Sequence, residues 1–242
     1  MDTDKAMETP HGRTLAMRAI YDIAPQPSTH DVLLIMLPGA MHKPEDMIRE
    51  GFIVALRERG LPVSVVVADA HDGYYLDRNI VERLTEDIVI PARELGYRNV
   101  WLMGISLGGL GALMCAREHR EHVQGVIVLA PYLGAPATLH EVVRAGGLKM
   151  WRPGELAPTD DERHVLSWLK TSEADGSIPP IYLCYGEQDR FISASVLLRE
   201  CLPPYRVAAI PGAHDWSTWI ALWRLLLDRG LFAHDFGEER SS

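Results

Sequence analysis

Short apolar runs that do not alternate with polar residues constrain the fold of this chain more than any other feature. They are Val32–Leu37, Val63–Ala68, Val100–Met103, Val123–Ala130, Ile181–Gly186 and Arg206–Ile210. A strand with one solvated face alternates apolar and polar residues. A continuous run implies a strand covered on both faces, as in a parallel sheet. Segments of helical period separate the runs. Pro44 to Arg59 places Met47, Ile48, Phe52, Ile53 and Leu56 on one face and stops at Gly60. Asn79 to Leu95 follows the same pattern, with Pro91 predicting a kink or break near Ile90. Leu107–Glu118, Ala194–Cys201 and Trp216–Leu227 complete the set. Alternating strand and helix from residue 32 onward predicts an α/β domain, a mostly parallel doubly wound sheet with helices on both faces. The 242 residues suffice for one such domain, so residues 1–242 read as a single unit.

Two segments depart from the pattern. Residues 1–12 read as a flexible tail, followed by a strand or ribbon over Thr14–Ile23. Between 131 and 179 no strand-like run occurs, and two short helices are expected as a cap or lid insertion. One is Leu139–Ala145. The other starts from a capping box, Thr159 with Glu162 three residues on.

Bulk properties exclude several functions. A net charge of −9 disfavours a nucleic-acid or other polyanion partner, and no basic cluster tracks a phosphate backbone. No apolar run approaches the length needed to span a bilayer, and Met1–Arg18 lacks the apolar core of a signal peptide. Cys115, Cys184 and Cys201 are odd in number and widely spaced, which points to a reducing, cytoplasmic compartment. The ten histidines show no metal-ligand spacing, so no metal is expected.

Gly104-Ile105-Ser106-Leu107-Gly108 joins a strand to a helix. In that context G-x-S-x-G describes a nucleophile elbow. A sharp turn holds the serine in a strained conformation, and the two glycines remove side chains that would clash. The serine then sits at a helix N-terminus, where free N–H groups and the helix dipole favour developing negative charge. A serine hydroxyl needs a base and an orienting acid to act as a nucleophile, here expected in the chain order Ser, acid, His. His214, in Pro211-Gly212-Ala213-His214-Asp215-Trp216, follows the last strand and is the candidate base. Asp189, in Gly186-Glu187-Gln188-Asp189-Arg190, is the candidate acid, with Glu187 its competitor. The oxyanion donors are the Leu107 amide and one from Pro38-Gly39-Ala40-Met41, with Ala40 favoured and Met41 the alternative. Met41, Tyr132, Leu133 and Trp151 are candidate substrate-binding residues. The apolar side chains of the insertion are equally consistent with a wall for a small-to-medium acyl group and with plain packing of the insertion. The stripe Trp216, Trp219, Ile220, Trp223, Leu226 and Leu227 reads as core packing against the sheet.

The combination of Leu37-Pro38-Gly39-Ala40, Gly104-Ile105-Ser106-Leu107-Gly108-Gly109, Gly186-Glu187-Gln188-Asp189-Arg190 and Gly212-Ala213-His214-Asp215-Trp216 resembles the α/β-hydrolase superfamily. It is most similar to small bacterial serine esterases of the esterase D-like branch. The first glycine loop departs from the common His-Gly form by carrying Pro38 before Gly39. The resemblance implies a cofactor-free Ser-His-Asp enzyme that hydrolyses a small-molecule carboxylic ester through an acyl-enzyme. Thioester hydrolysis or acyl transfer on the same triad is the alternative. A catalytically silent binding protein of the same fold is the reading from outside enzymes.

Overall fold

The computed structural model describes residues 16–24, 32–171 and 178–232. The expected tail, residues 1–12, lies outside them. Seven strands form one sheet in the order β1-β3-β2-β4-β5-β6-β7. They are β1 (Ala19–Asp22), β2 (Val32–Leu37), β3 (Ser64–Ala68), β4 (Asn99–Ile105), β5 (Gly125–Leu129), β6 (Ile181–Gly186) and β7 (Val207–Ile210). Only β1 runs antiparallel, against β3 at one edge, and every other pairing is parallel. This is the expected mostly parallel, doubly wound sheet.

The continuous apolar runs are explained by two cores. In β2, Leu33, Ile35 and Leu37 enter one hydrophobic cluster, and Val32, Leu34 and Met36 enter the other. Successive side chains point to opposite faces, so both faces must be covered. Each such leucine or isoleucine contributes about 1.5–3 kcal/mol relative to exposure. The first face is covered by α4 (Ile80–Leu84), α6 (Leu107–Glu118), α8 (Asp161–Thr171) and α9 (Ile192–Arg199). The second is covered by α1 (Pro44–Arg49), α2 (Phe52–Arg57) and α10 (Trp216–Asp228), with Trp223 donating its indole N–H to the Phe52 carbonyl at 3.0 Å. The short α3 (Asp72–Leu76), α5 (Ile90–Glu94) and α7 (Pro136–Arg144) complete the set.

Three local expectations are corrected. The helix over 44–59 is two helices, broken where Gly51 adopts φ +88°. The Asn79–Leu95 helix contains a π turn over Thr85–Val89. There the Ile90 amide donates to Thr85 O, widening the coil just before Pro91, which has no amide hydrogen to give. The capping box is not formed. Asp160 caps α8 by accepting from the Arg163 amide at 3.2 Å, and Glu162 turns away to other partners.

Among the described residues no helix is long and apolar enough to cross a membrane.

Candidate active site

The elbow stands at the C-terminal end of β4, in the middle of the sheet, where the ends of parallel strands open a crevice. Ser106 precedes α6 and holds φ +52°, ψ −115°, a conformation that L residues avoid. The flanking glycines are required by contact. A Cβ on Gly104 would lie 2.1 Å from the Gly108 carbonyl oxygen, and one on Gly108 would lie 2.3 Å from the Leu37 carbonyl oxygen. The Ser106 backbone is fixed by three bonds. Its amide donates to Leu129 O at 3.0 Å, and its carbonyl accepts from the Gly109 amide at 3.0 Å and the Tyr132 amide at 2.9 Å.

Three loops meet at this serine. The loop after β6 brings Asp189, and the loop after β7 brings His214. Asp189 Oδ2 accepts from His214 Nδ1 at 2.7 Å, and His214 Nε2 lies 3.2 Å from Ser106 Oγ. The Asp189 side chain is 2% exposed and that of His214 is 9% exposed. The second Asp189 oxygen accepts from the Phe191 amide at 2.7 Å, which fixes the carboxylate plane. Phe191 and Trp219 each meet the imidazole edge-to-face with centroids 4.9 Å away, shielding it from water. Glu187 is exposed and has no part in this line.

Gly39, from the loop after β2, comes close to the serine: a Cβ there would lie 3.3 Å from Ser106 Cβ. Its carbonyl accepts from the His42 amide at 3.1 Å, closing a turn whose third residue, Met41, has φ +64°. That sign is what a type II turn requires. The amides of Ala40, Met41 and Leu107 have no backbone acceptor among the described residues.

The cleft around Ser106 measures about 560 Å³. Met41, 91% exposed, stands at its mouth, and Tyr132 forms part of its wall. Two other sequence candidates are elsewhere. Trp151 is buried beside α7, donating its indole N–H to Glu141 at 2.8 Å, and does not line this cleft. Leu133 packs in the first core and faces a neighbouring hollow. The expected core packing of α10 holds, since Trp219 and Trp223 are buried in the second core and Trp216 packs against it, but Trp216 and Trp219 also line the cleft, with His42 packed against both. Larger surface clefts of about 970 Å³ and 690 Å³ flank the site, and neither contains Ser106, Asp189 or His214.

Four features were not anticipated from sequence. Arg190 and Phe191, next to the acid, line the cleft. Ala130 takes φ +46° directly after β5 and also lines it. Glu162 accepts from Tyr132 Oη at 2.5 Å, the Ala135 amide at 2.9 Å and Thr138 Oγ1 at 3.1 Å, tying α8 to α7 and to the wall of the cleft. Burial and the Glu162 partner together push the Tyr132 phenol well above its usual range. Asp215 caps α10 by accepting from the Thr218 amide at 2.9 Å, and that bond, aided by the Ser217 hydroxyl, holds its carboxyl below the usual range.

Residues 75–228 match a family model described as "Putative esterase". Est1E from Butyrivibrio proteoclasticus superposes with a TM-score of 0.61 at 19% identity, over 91% of this chain and 95% of that one. S-formylglutathione hydrolase FrmB from Staphylococcus aureus gives 0.58 at 13% identity, over 88% and 95%. A monoacylglycerol lipase from Paleococcus ferrophilus gives 0.59 at 17% identity, over 91% and 100%. At these identities the likeness is one of fold. No curated protein sequence matches the chain significantly.

Proposed function

The chain belongs to the esterase family whose model it matches over residues 75–228 and is a carboxylic-ester hydrolase, and on that footing we propose that it works through a covalent acyl-enzyme on Ser106. The observation that carries this reading is the hydrogen-bonded line from Asp189 through His214 to Ser106, at 2.7 Å and 3.2 Å. The substrate is a small-to-medium ester, in keeping with a cleft of about 560 Å³.

His214 Nε2 takes the Ser106 proton as Oγ attacks the ester carbonyl carbon. The oxyanion of the tetrahedral intermediate is held by the Leu107 amide and by one amide of the Gly39 turn, Ala40 or, as the alternative, Met41. The imidazolium returns its proton to the departing alkoxide as the carbon–oxygen bond breaks, leaving the acyl group on Ser106. Water, deprotonated by His214, then attacks the acyl carbon, and the imidazolium returns that proton to Ser106 Oγ as its bond to the acyl carbon breaks and the acid is released. Asp189 fixes the imidazole tautomer and stabilises the imidazolium. The α6 N-terminus beneath Leu107 adds a favourable field for the oxyanion. None of these steps requires a cofactor.

Fluorophosphonate labelling tests the assignment directly. Wild type is expected to label and to hydrolyse p-nitrophenyl acetate, and Ser106→Ala to do neither, with turnover falling by about 10⁴ or more. Labelling that persists in Ser106→Ala rejects the nucleophile. Tight binding of esters without turnover by wild type rejects the enzymatic mechanism in favour of a binding protein. A panel of matched esters and thioesters separates ester from thioester hydrolysis.

A further inference from the structure

A second hollow of about 240 Å³ opens beside the Ser106 cleft, between α7 of the cap and α9. The two share Tyr132, Arg190 and Phe191 as a common lip. Beyond this lip the walls are mainly aliphatic, with Leu133, Leu139, Val143 and Ala194, and His140 and Ser193 are the polar side chains among them. Among the described residues no carboxylate lines the hollow. Arg190 stands at the lip, its guanidinium 4.8 Å over the Phe191 ring. Val143 and Phe191 remain 54% and 48% exposed, apolar surface left open where it could be covered. The lip lies beside the reacting groups. The Tyr132 amide donates to the Ser106 carbonyl, and the Phe191 ring sits 4.9 Å from the His214 imidazole.

We propose that this hollow is a subsite for the distal part of an unbranched aliphatic acyl chain whose carbonyl is held at Ser106. The proposal rests on the acyl-enzyme reading above and adds the class of acid to it. An acetyl group ends at its methyl and cannot cross the lip. A medium chain passes between Tyr132 and Phe191 and buries its last carbons against Leu139 and Val143. Full burial of each methylene is worth roughly a fourfold gain in kcat/KM.

The test is a chain-length series of p-nitrophenyl acetate, butyrate and octanoate, run on wild type, Val143→Trp and Ser193→Trp. Both substitutions fill the hollow from partly exposed positions on opposite walls. In wild type, kcat/KM is expected to rise at least tenfold from acetate to octanoate, mainly through KM. Each variant is expected to lower that octanoate-to-acetate ratio at least tenfold, with acetate turnover reporting that the fold persists. A wild-type series that is flat or favours acetate overturns the subsite while leaving the esterase reading intact. So does a ratio unmoved in both variants. The wild-type series decides the matter even where a variant fails to fold. Failure of wild type to hydrolyse any of the three esters, with no fluorophosphonate labelling, overturns the catalytic reading on which the subsite rests.

Discussion

Gln188 and Gly212 are joined twice: the Gly212 amide donates to Gln188 Oε1 at 2.6 Å, and the Gln188 amide donates to the Gly212 carbonyl at 2.9 Å. Gln188 precedes Asp189, and Gly212 lies two residues before His214, so this clasp sets the spacing of the proposed acid and base. Gln188→Ala removes the side-chain half. One such bond contributes about 1 kcal/mol, so kcat is expected to fall about fivefold with KM nearly unchanged. Gln188→Glu keeps an acceptor for the same amide and is expected to restore most of the rate. Steady-state kinetics on p-nitrophenyl butyrate measures both. A rise in KM alone would show that the clasp shapes the binding cleft instead of positioning the pair.

The glycines around Ser106 divide into two kinds. Gly104 has no room for a methyl, since a Cβ there would lie 2.1 Å from Gly108 O, so Gly104→Ala is expected to abolish cooperative unfolding. At Gly39 the contact is 3.3 Å to Ser106 Cβ, which a shift of a few tenths of an ångström relieves. Gly39→Ala is therefore expected to fold with a Tm within a few degrees of wild type. Its kcat is expected to fall by about tenfold, because the turn that carries the proposed oxyanion donor moves away from the serine. Thermal unfolding and kinetics on the same preparations separate the two. Equal loss of Tm in both variants rejects the distinction.

The parts of the site that were legible in the sequence are those encoded by neighbouring residues. The elbow is five consecutive positions, and Asp189 and His214 each sit directly after an apolar run. The sheet was legible because a continuous run needs two covered faces wherever it occurs. What escaped depends on distant contact. Thr159 and Asp160 are equally good caps by type, and nothing local reveals that Glu162 is engaged by Tyr132, Ala135 and Thr138. Trp151 and Tyr132 are both large aromatics of residues 131–179, but only Tyr132 lies within three residues of the β5 end beside Ser106. The α10 stripe is apolar throughout. Its first turn extends past the strand ends, so Trp216 and Trp219 reach the cleft as well as the core, while Trp223 is buried in the core alone.

Glu162 anchors three donors from the segment that leaves β5. Glu162→Ala leaves the Ala135 amide and two hydroxyls without their acceptor. The expected cost is roughly 2–3 kcal/mol, a drop in Tm of about 5–10 °C. Tyr132→Phe removes one donor and leaves Glu162 its other two, so about 1 kcal/mol is expected. Both variants free the wall of the cleft and are expected to raise KM for p-nitrophenyl esters. Differential scanning calorimetry orders them, and an equal loss in both would place the whole effect in the tyrosine hydroxyl.

Asp215 links helix capping to pH. Its carboxyl is held below the usual range, first by the Thr218 amide and then by the Ser217 hydroxyl. A carboxyl whose folded pKa lies below its unfolded one stabilises the fold above the unfolded value, near 3.9, and loses that contribution as pH falls through the folded value. Asp215→Asn keeps an acceptor for the cap but removes the negative charge from the N-terminus of α10. At pH 7 it is expected to be less stable than wild type by about 0.5–1 kcal/mol. Urea unfolding should show that gap closing as the pH falls from the unfolded value through the lower folded one. A gap that stays constant would assign it to the geometry of the cap, not to charge. The first turn of α10 also carries Trp216 and Trp219 in the wall of the cleft. Asp215→Ala, which removes the cap altogether, is therefore expected to raise KM at pH 7 as well as lower stability.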